Sequence, residues 1–249
     1  TVLLHMPVSS IDRIVLSERP AALRYCYRSG LPSNLIVSTY ELIKESRKGS
    51  LFFLKEDHSK IKSLPLPAGV FRFELFPDEA NLIASLTNGS LAAVNLESLV
   101  VDNIPVSLES MLLSVNIFGN RVVTSDNRGN VHLVDLLSGQ VTSFPAARLK
   151  YSNEPCEVWC TAWHDEGNSI FSGGEDALLK LWDVRCCSKP VACNASHESG
   201  VTFVKSEGGS MIITGSYDEN IRRFDCRNLK ESLSQRKLGG GVWNVEETQ

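Results

Sequence analysis

The sequence lacks any apolar run of 18 residues, which leaves it without a candidate membrane-spanning helix. It also lacks a basic surplus. Its 25 lysines and arginines stand against 29 aspartates and glutamates, a formal charge of −4, so there is no electrostatic footprint for nucleic acid. The local group Lys44, Arg47 and Lys48 reads as a solvated loop. The opening Thr1–Met6 has neither a charged region nor a cleavage site, so no signal peptide is expected there. No serine sits in the strained Gly-x-Ser-x-Gly turn of an α/β hydrolase. Gly239–Gly241 is followed by Val-Trp, where a phosphate-binding loop needs Lys and Ser or Thr. The five histidines are scattered, and neither Cys156-x-x-x-Cys160 nor the Cys186-Cys187 pair has zinc-ligand spacing. No metal and no cofactor are therefore expected. Seven cysteines make an odd set without a framework spacing, the pattern of a reduced, cytoplasmic protein. Asn88-Gly-Ser90 and Asn194-Ala-Ser196 match the glycosylation pattern, which is short enough to arise by chance.

What is present is a repeat. The phrase Ser172-Gly-Gly-Glu-Asp-Ala-Leu-Leu-Lys-Leu-Trp-Asp183 has an eight-residue ending with four further versions. These endings begin at Lys48, Asn88, Arg128, Asp176 and Asp218, and are 40, 40, 48 and 42 residues apart. A period near 40–45 residues with a Trp-Asp end marks propeller blades. Upstream of each ending lies a short apolar stretch, such as Leu82-Ile-Ala-Ser-Leu86 or Met211-Ile-Ile-Thr-Gly215. A tight polar turn joins the two strands, and Gly49, Gly89 and Gly129 suit a turn that needs positive φ.

These phrases resemble the WD-repeat (WD40) family from about residue 20 onward. The resemblance implies an all-β propeller forming one domain over residues 1–249, with four antiparallel strands per blade. Five complete blades are expected at about 20–66, 70–106, 110–146, 156–196 and 197–238. A sixth begins near 239, and the intact ring is expected to hold seven. An open ring would leave strand edges free to pair, and Ile11–Leu16 is a candidate outer strand to close it. The family's buried hydrogen-bonded set maps onto His197, Thr214 and Asp218 in the fifth copy, with Phe224 in place of the Trp. In the fourth it maps onto Ser172, Asp176 and Trp182, with Glu154 near the expected His. The first three copies are more degenerate, with Lys48, Asn88 and Arg128 in place of the turn acid. His197 admits two readings, a cleft base with a near-neutral pKa or a member of the buried set, and its spacing favours the second. His164 falls in a hairpin turn.

The WD-repeat resemblance places Glu175 and Tyr217, just before the turn acids, at the channel mouth, together with Glu157, Trp159, Gly200 and Trp243 where inner strands begin. Two tryptophans there form either an aromatic surface for a cation or ordinary packing between blades. Phe171-Ser-Gly-Gly-Glu-Asp176, Leu181-Trp-Asp-Val-Arg185, Phe224-Asp-Cys-Arg-Asn-Leu-Lys230 and Gly239-Gly-Gly-Val-Trp243 are similar to the diphthine methyl ester hydrolase family, as is Thr39-Tyr-Glu-Leu42. That resemblance implies a monomeric hydrolase of diphthamide biosynthesis. Its substrate is translation elongation factor 2 carrying a methyl ester beside a trimethylammonium group. Glu157 or Glu175 then serves as base or counter-charge, and Trp159, Tyr217 and Trp243 contact the substrate. No motif identifies a nucleophile. A non-catalytic WD-repeat adaptor, holding a protein partner on its top face, accounts for the same repeats.

Overall fold

In each repeat the second strand is apolar or small at nearly every position: Leu35–Thr39, Asn81–Leu86, Arg121–Asp126, Ser169–Gly174 and Met211–Ser216 are buried throughout or in all but the first residue. A strand reads this way when both of its faces are covered. Sheets stacked face to face provide that cover. The computed structural model describes residues 14–27, 35–55, 60–164 and 166–245, and over these it shows five antiparallel sheets in the order of the repeats, the first of five strands and the other four of four. The innermost strands are Pro20–Tyr25, Val70–Leu75, Leu112–Phe118, Val158–Trp163 and Val201–Gly208. Each packs beside the next, so the sheets stand as successive propeller blades around a channel. Outer strands such as Val101–Pro105 and Ser234–Lys237 are far more exposed. This is the all-β blade architecture that the repeat implied.

Blade one departs from the expected turn. An extra hairpin, Glu41–Ile43 against the start of Ser46–Leu54, turns at Lys44 with a φ of 56°. Gly49 is therefore inside a strand, without positive φ. A Cβ there would lie 2.3 Å from the Thr39 carbonyl oxygen and 2.7 Å from the Val70 nitrogen, so glycine serves close approach between blades. Gly89 and Gly129 do occupy the left-handed turn, at φ of 79° and 86°. Of the candidate closing strand, Ile11–Arg13 lie outside the described residues, and Ile14–Leu16 carry no strand.

The buried polar set of blade five forms around His197. Arg222 Nη1 donates to Nδ1 at 2.8 Å, so the ring proton is on Nε2, which donates to Thr214 Oγ1 at 3.1 Å. Asp218 accepts from Arg222 at 2.7 Å and from the Glu198 nitrogen at 3.0 Å. In blade four Trp182 Nε1 donates to Ser172 Oγ at 2.8 Å, and Lys180 pairs with Asp176 at 2.5 Å and also reaches the Ala146 carbonyl. Glu154 stays exposed, and Lys180 stands at the strand position that Arg222 holds in blade five. Blade three has a set the repeat alignment did not reveal. Asp126, two residues before Arg128, accepts from the Arg128 and Asn130 nitrogens at 3.0 and 2.8 Å. His132 bridges Asp126 at 3.2 Å and Ser143 at 2.7 Å.

These groups predict how the fold responds to acid. Burial, helped by the Arg222 charge, pushes His197 from 6.5 down to about 4. Its neutral form is therefore favoured on folding, and the stabilisation is complete above pH 6.5 and lost as pH falls to about 4. Burial raises Asp126 and Asp218, but hydrogen bonds from His132 and Asn130 in one case, and from Glu198 and Arg222 in the other, outweigh it and hold both at about 2. Their contribution is intact above 3.8 and lost as pH falls through 2. Urea unfolding measured against pH should thus weaken in two stages. His197→Gln should flatten the first, and an unaltered upper stage in that variant would refute the assignment.

Candidate functional site

Every innermost strand has the same irregularity near its start. The ladder register slips between Pro20 and Ala22, Val70 and Arg72, Leu112 and Ser114, Val158 and Cys160, and Val201 and Phe203. A bulge of this kind leaves one residue without a cross-strand partner and re-aims its side chain. In blade four that residue is Trp159, and in blade five it is the small Thr202.

The segment after blade five completes the pattern. Val242 packs on Gly215 as Val201 packs on Gly173, a Cβ on either glycine coming within 2.5 Å of the valine's Cγ1. Its nitrogen donates to the Ser216 carbonyl at 3.0 Å, and its carbonyl accepts from Thr202 Oγ1 at 2.5 Å. Residues 239–245 thus sit where a next blade would begin, although the described part of the expected strand, 239–245, is not in a ladder. This places Trp243 in the position that Trp159 holds in blade four, and the two indoles meet across blade five, where Thr202 is small.

Four of the residues singled out in the sequence come together here. The Trp159 and Trp243 rings stand edge to face at 5.9 Å and 87°. Tyr217 meets Trp243 in the same manner at 4.9 Å and 83°. Trp159 Nε1 donates to Glu175 Oε2 at 3.2 Å, which fixes the carboxylate beside the rings. Gly200 leaves room between them: a Cβ would lie 3.2 Å from Glu175 Oε2 and 3.4 Å from the Tyr217 ring. Burial, and next the Glu175 charge, raise the Tyr217 hydroxyl pKa, so the phenol stays protonated beside the carboxylate. Tyr217 is 39% exposed and Trp243 38%, so ring surface remains open to a ligand. Glu157 joins through its backbone, its carbonyl accepting from the Glu175 nitrogen at 2.9 Å.

Three π systems and one carboxylate meet here, an arrangement able to hold a cation. Ring faces are negative in their quadrupole and attract a cation within about 6 Å, and the carboxylate adds a full charge. Such a site favours a bulky, weakly hydrated quaternary ammonium over a small strongly hydrated ion, because it offers few hydrogen-bond acceptors. The indoles open onto a cavity of about 660 Å³ that continues down the channel between the innermost strands. Its wall includes Arg24, Arg72, Glu74 and Lys205, which the repeat pattern did not single out. Among the described residues no group of three or more His, Cys, Asp or Glu side chains is arranged to hold a metal ion.

Comparison with known proteins agrees with the propeller fold. Residues 147–183 match the family model described as "WD domain, G-beta repeat". A mouse protein named diphthine methyltransferase is 32% identical over 136 residues, which cover 51% of this chain and 27% of the mouse protein. A Schizosaccharomyces pombe protein of the same name is 28% identical over 228 residues, covering 85% of this chain and 68% of its own. The match thus spans little more than a quarter of the mouse relative's length. Among solved structures, a chain of a mitotic checkpoint complex superposes with a TM-score of 0.66 at 15% identity, over 97% of this chain and 77% of its own. At that identity the likeness is one of fold. The chain is a WD40-type propeller, and its sequence is similar to proteins named diphthine methyltransferase.

Proposed function

We propose that this WD40-type propeller hydrolyses the methyl ester of diphthine methyl ester on translation elongation factor 2, a step of diphthamide biosynthesis. The observation that carries the reading is the joining of Trp159, Tyr217 and Trp243 with Glu175 at one channel mouth. A modified histidine bearing a trimethylammonium group presents the cation such a site selects. The relatives' shared name supplies the link to diphthine and to its methyl chemistry.

In the reaction, water adds to the ester carbonyl, the tetrahedral intermediate expels methanol, and a carboxylate and a proton are left. Holding the cation on the rings positions the neighbouring ester at the top of the channel, and positioning alone removes much of the entropic barrier. Glu175, held by the Trp159 indole, is the carboxylate beside the bound cation and the nearest candidate to take a proton from the attacking water. Elongation factor 2 acts as the protein substrate on the exposed top face, and the protein acts there in the cytoplasm as a monomer.

The test mixes the full-length protein with elongation factor 2 carrying the methyl ester. Methanol should appear in step with loss of the ester, and in H₂¹⁸O the label should enter the new carboxylate. Methyl transfer to another acceptor without methanol would replace hydrolysis by transfer. Tight binding of the factor with no change in the ester would favour an adaptor.

A further inference from the structure

The channel below the aromatic rings holds a guanidinium that the cation site does not use. In the innermost strand of blade two all of Arg72, Phe73 and Glu74 border the channel, but Phe73 is fully buried whereas Arg72 and Glu74 on either side of it are only partly so. The bulge at Phe71 sets this phase. Glu74 is engaged by Arg24 of blade one at 3.3 Å. Arg72 instead reaches across the mouth, its Nη2 donating to the Trp243 carbonyl at 3.3 Å. It has no ion-pair partner within 4 Å among the described residues, and most of its five N–H donors have no acceptor there. Burial, and then the charge of Arg24, act against its protonated form. Among the described residues three cationic side chains, Arg24, Arg72 and Lys205, line the cavity with the single carboxylate Glu74. An anion entering the channel would meet an excess of positive charge.

We propose that Arg72 binds the carboxyl end of a ligand whose quaternary ammonium rests on Trp243, so that the mouth and the channel together form one site for a trimethylammonium carboxylate or its ester. The inference rests on the cation reading of the mouth and adds an anion subsite to it. The physical link is the bond from Arg72 to the Trp243 backbone, which ties the guanidinium to the residue whose ring receives the cation. A guanidinium fork accepts a carboxylate with two parallel hydrogen bonds. During hydrolysis the same donors face the oxygen on which negative charge develops. Arg72 thereby serves both the transition state and the product carboxylate.

Titration of the tryptophan fluorescence with three probes tests this: N,N,N-trimethylalanine as the zwitterion, tetramethylammonium as the cation alone, and acetate as the anion alone. The zwitterion should bind about tenfold or more tightly than tetramethylammonium, consistent with one charge-assisted pair. In Arg72→Gln that ratio should fall to about one, while Arg72→Lys, which keeps the charge and loses the fork, should retain part of it. A ratio of one in the unaltered protein, or an undiminished ratio in folded Arg72→Gln, overturns the proposal. Failure of tetramethylammonium alone to bind removes the cation reading, whereas Arg72-dependent binding of acetate or the zwitterion would still support the anion subsite. No binding of either carboxylate overturns it.

Discussion

Replacing Asp218 by alanine is expected to lower the stability of the protein by about 3–5 kcal/mol, the range for breaking a buried ion pair from one side. The reason is what the substitution leaves behind. Arg222 and Asp218 each have side chains only 3% exposed, and the guanidinium bonds to both the carboxylate and His197. Without Asp218 the cation is stranded in the blade. The Glu198 and Asn220 nitrogens lose their acceptor as well, which frees the turn before the innermost strand and the hairpin turn together. Asp218→Asn keeps a hydrogen-bond acceptor but loses the charge, and should fall between the alanine variant and the natural protein. Urea denaturation followed by circular dichroism measures the difference. A loss below about 1 kcal/mol in Asp218→Ala would mean that Arg222 finds water or another acceptor, contrary to the buried network.

Trp243→Ala should weaken capture of the trimethylammonium substrate by roughly 30-fold, equivalent to about 2 kcal/mol for a largely desolvated cation on an aromatic face. This ring touches both other aromatics of the site, so its removal takes away one face and unsettles two more. Trp159→Phe should cost less. It preserves a ring but removes the indole N–H that fixes Glu175, so its effect should appear more in kcat than in KM. The measurement is the methanol-release rate against the concentration of esterified elongation factor 2, with melting temperature as the folding control. Unchanged kinetic constants in a folded Trp243→Ala protein would remove the rings from the site.

The mouth was legible because its members occupy repeat-defined positions. Glu175 and Tyr217 each directly precede the acid that opens the hairpin turn, and Trp159 and Trp243 each follow a valine at the place where the repeat puts the beginning of an inner strand. Register alone therefore brings them to one rim. Arg72 was not legible for a physical reason. Strict alternation along Val70–Leu75 would assign it the same face as Val70, which is fully buried, and the intervening bulge reverses that assignment. Gly49 shows a second limit. Its place in the repeat phrase suggested a turn, but the extra hairpin moved the turn to Lys44 and left the glycine where two backbones approach. The Asp126–His132–Ser143 set shows a third, since its acid lies two residues ahead of the aligned position and is recognised only by what it bonds.

The recurring bulge separates two jobs that a strand usually gives to the same residues. Phe71, Leu113, Trp159 and Thr202 stand outside the hydrogen-bond ladders that hold their blades, each at the same station of the innermost strand. Their identities are thus largely exempt from the cross-strand pairing that constrains the rest of the sheet. A propeller built this way works like a lock with interchangeable pins. Where the bulged residue reaches the mouth, as Trp159 does, a substitution there changes the surface of the mouth while the ladder beside it keeps its pairing.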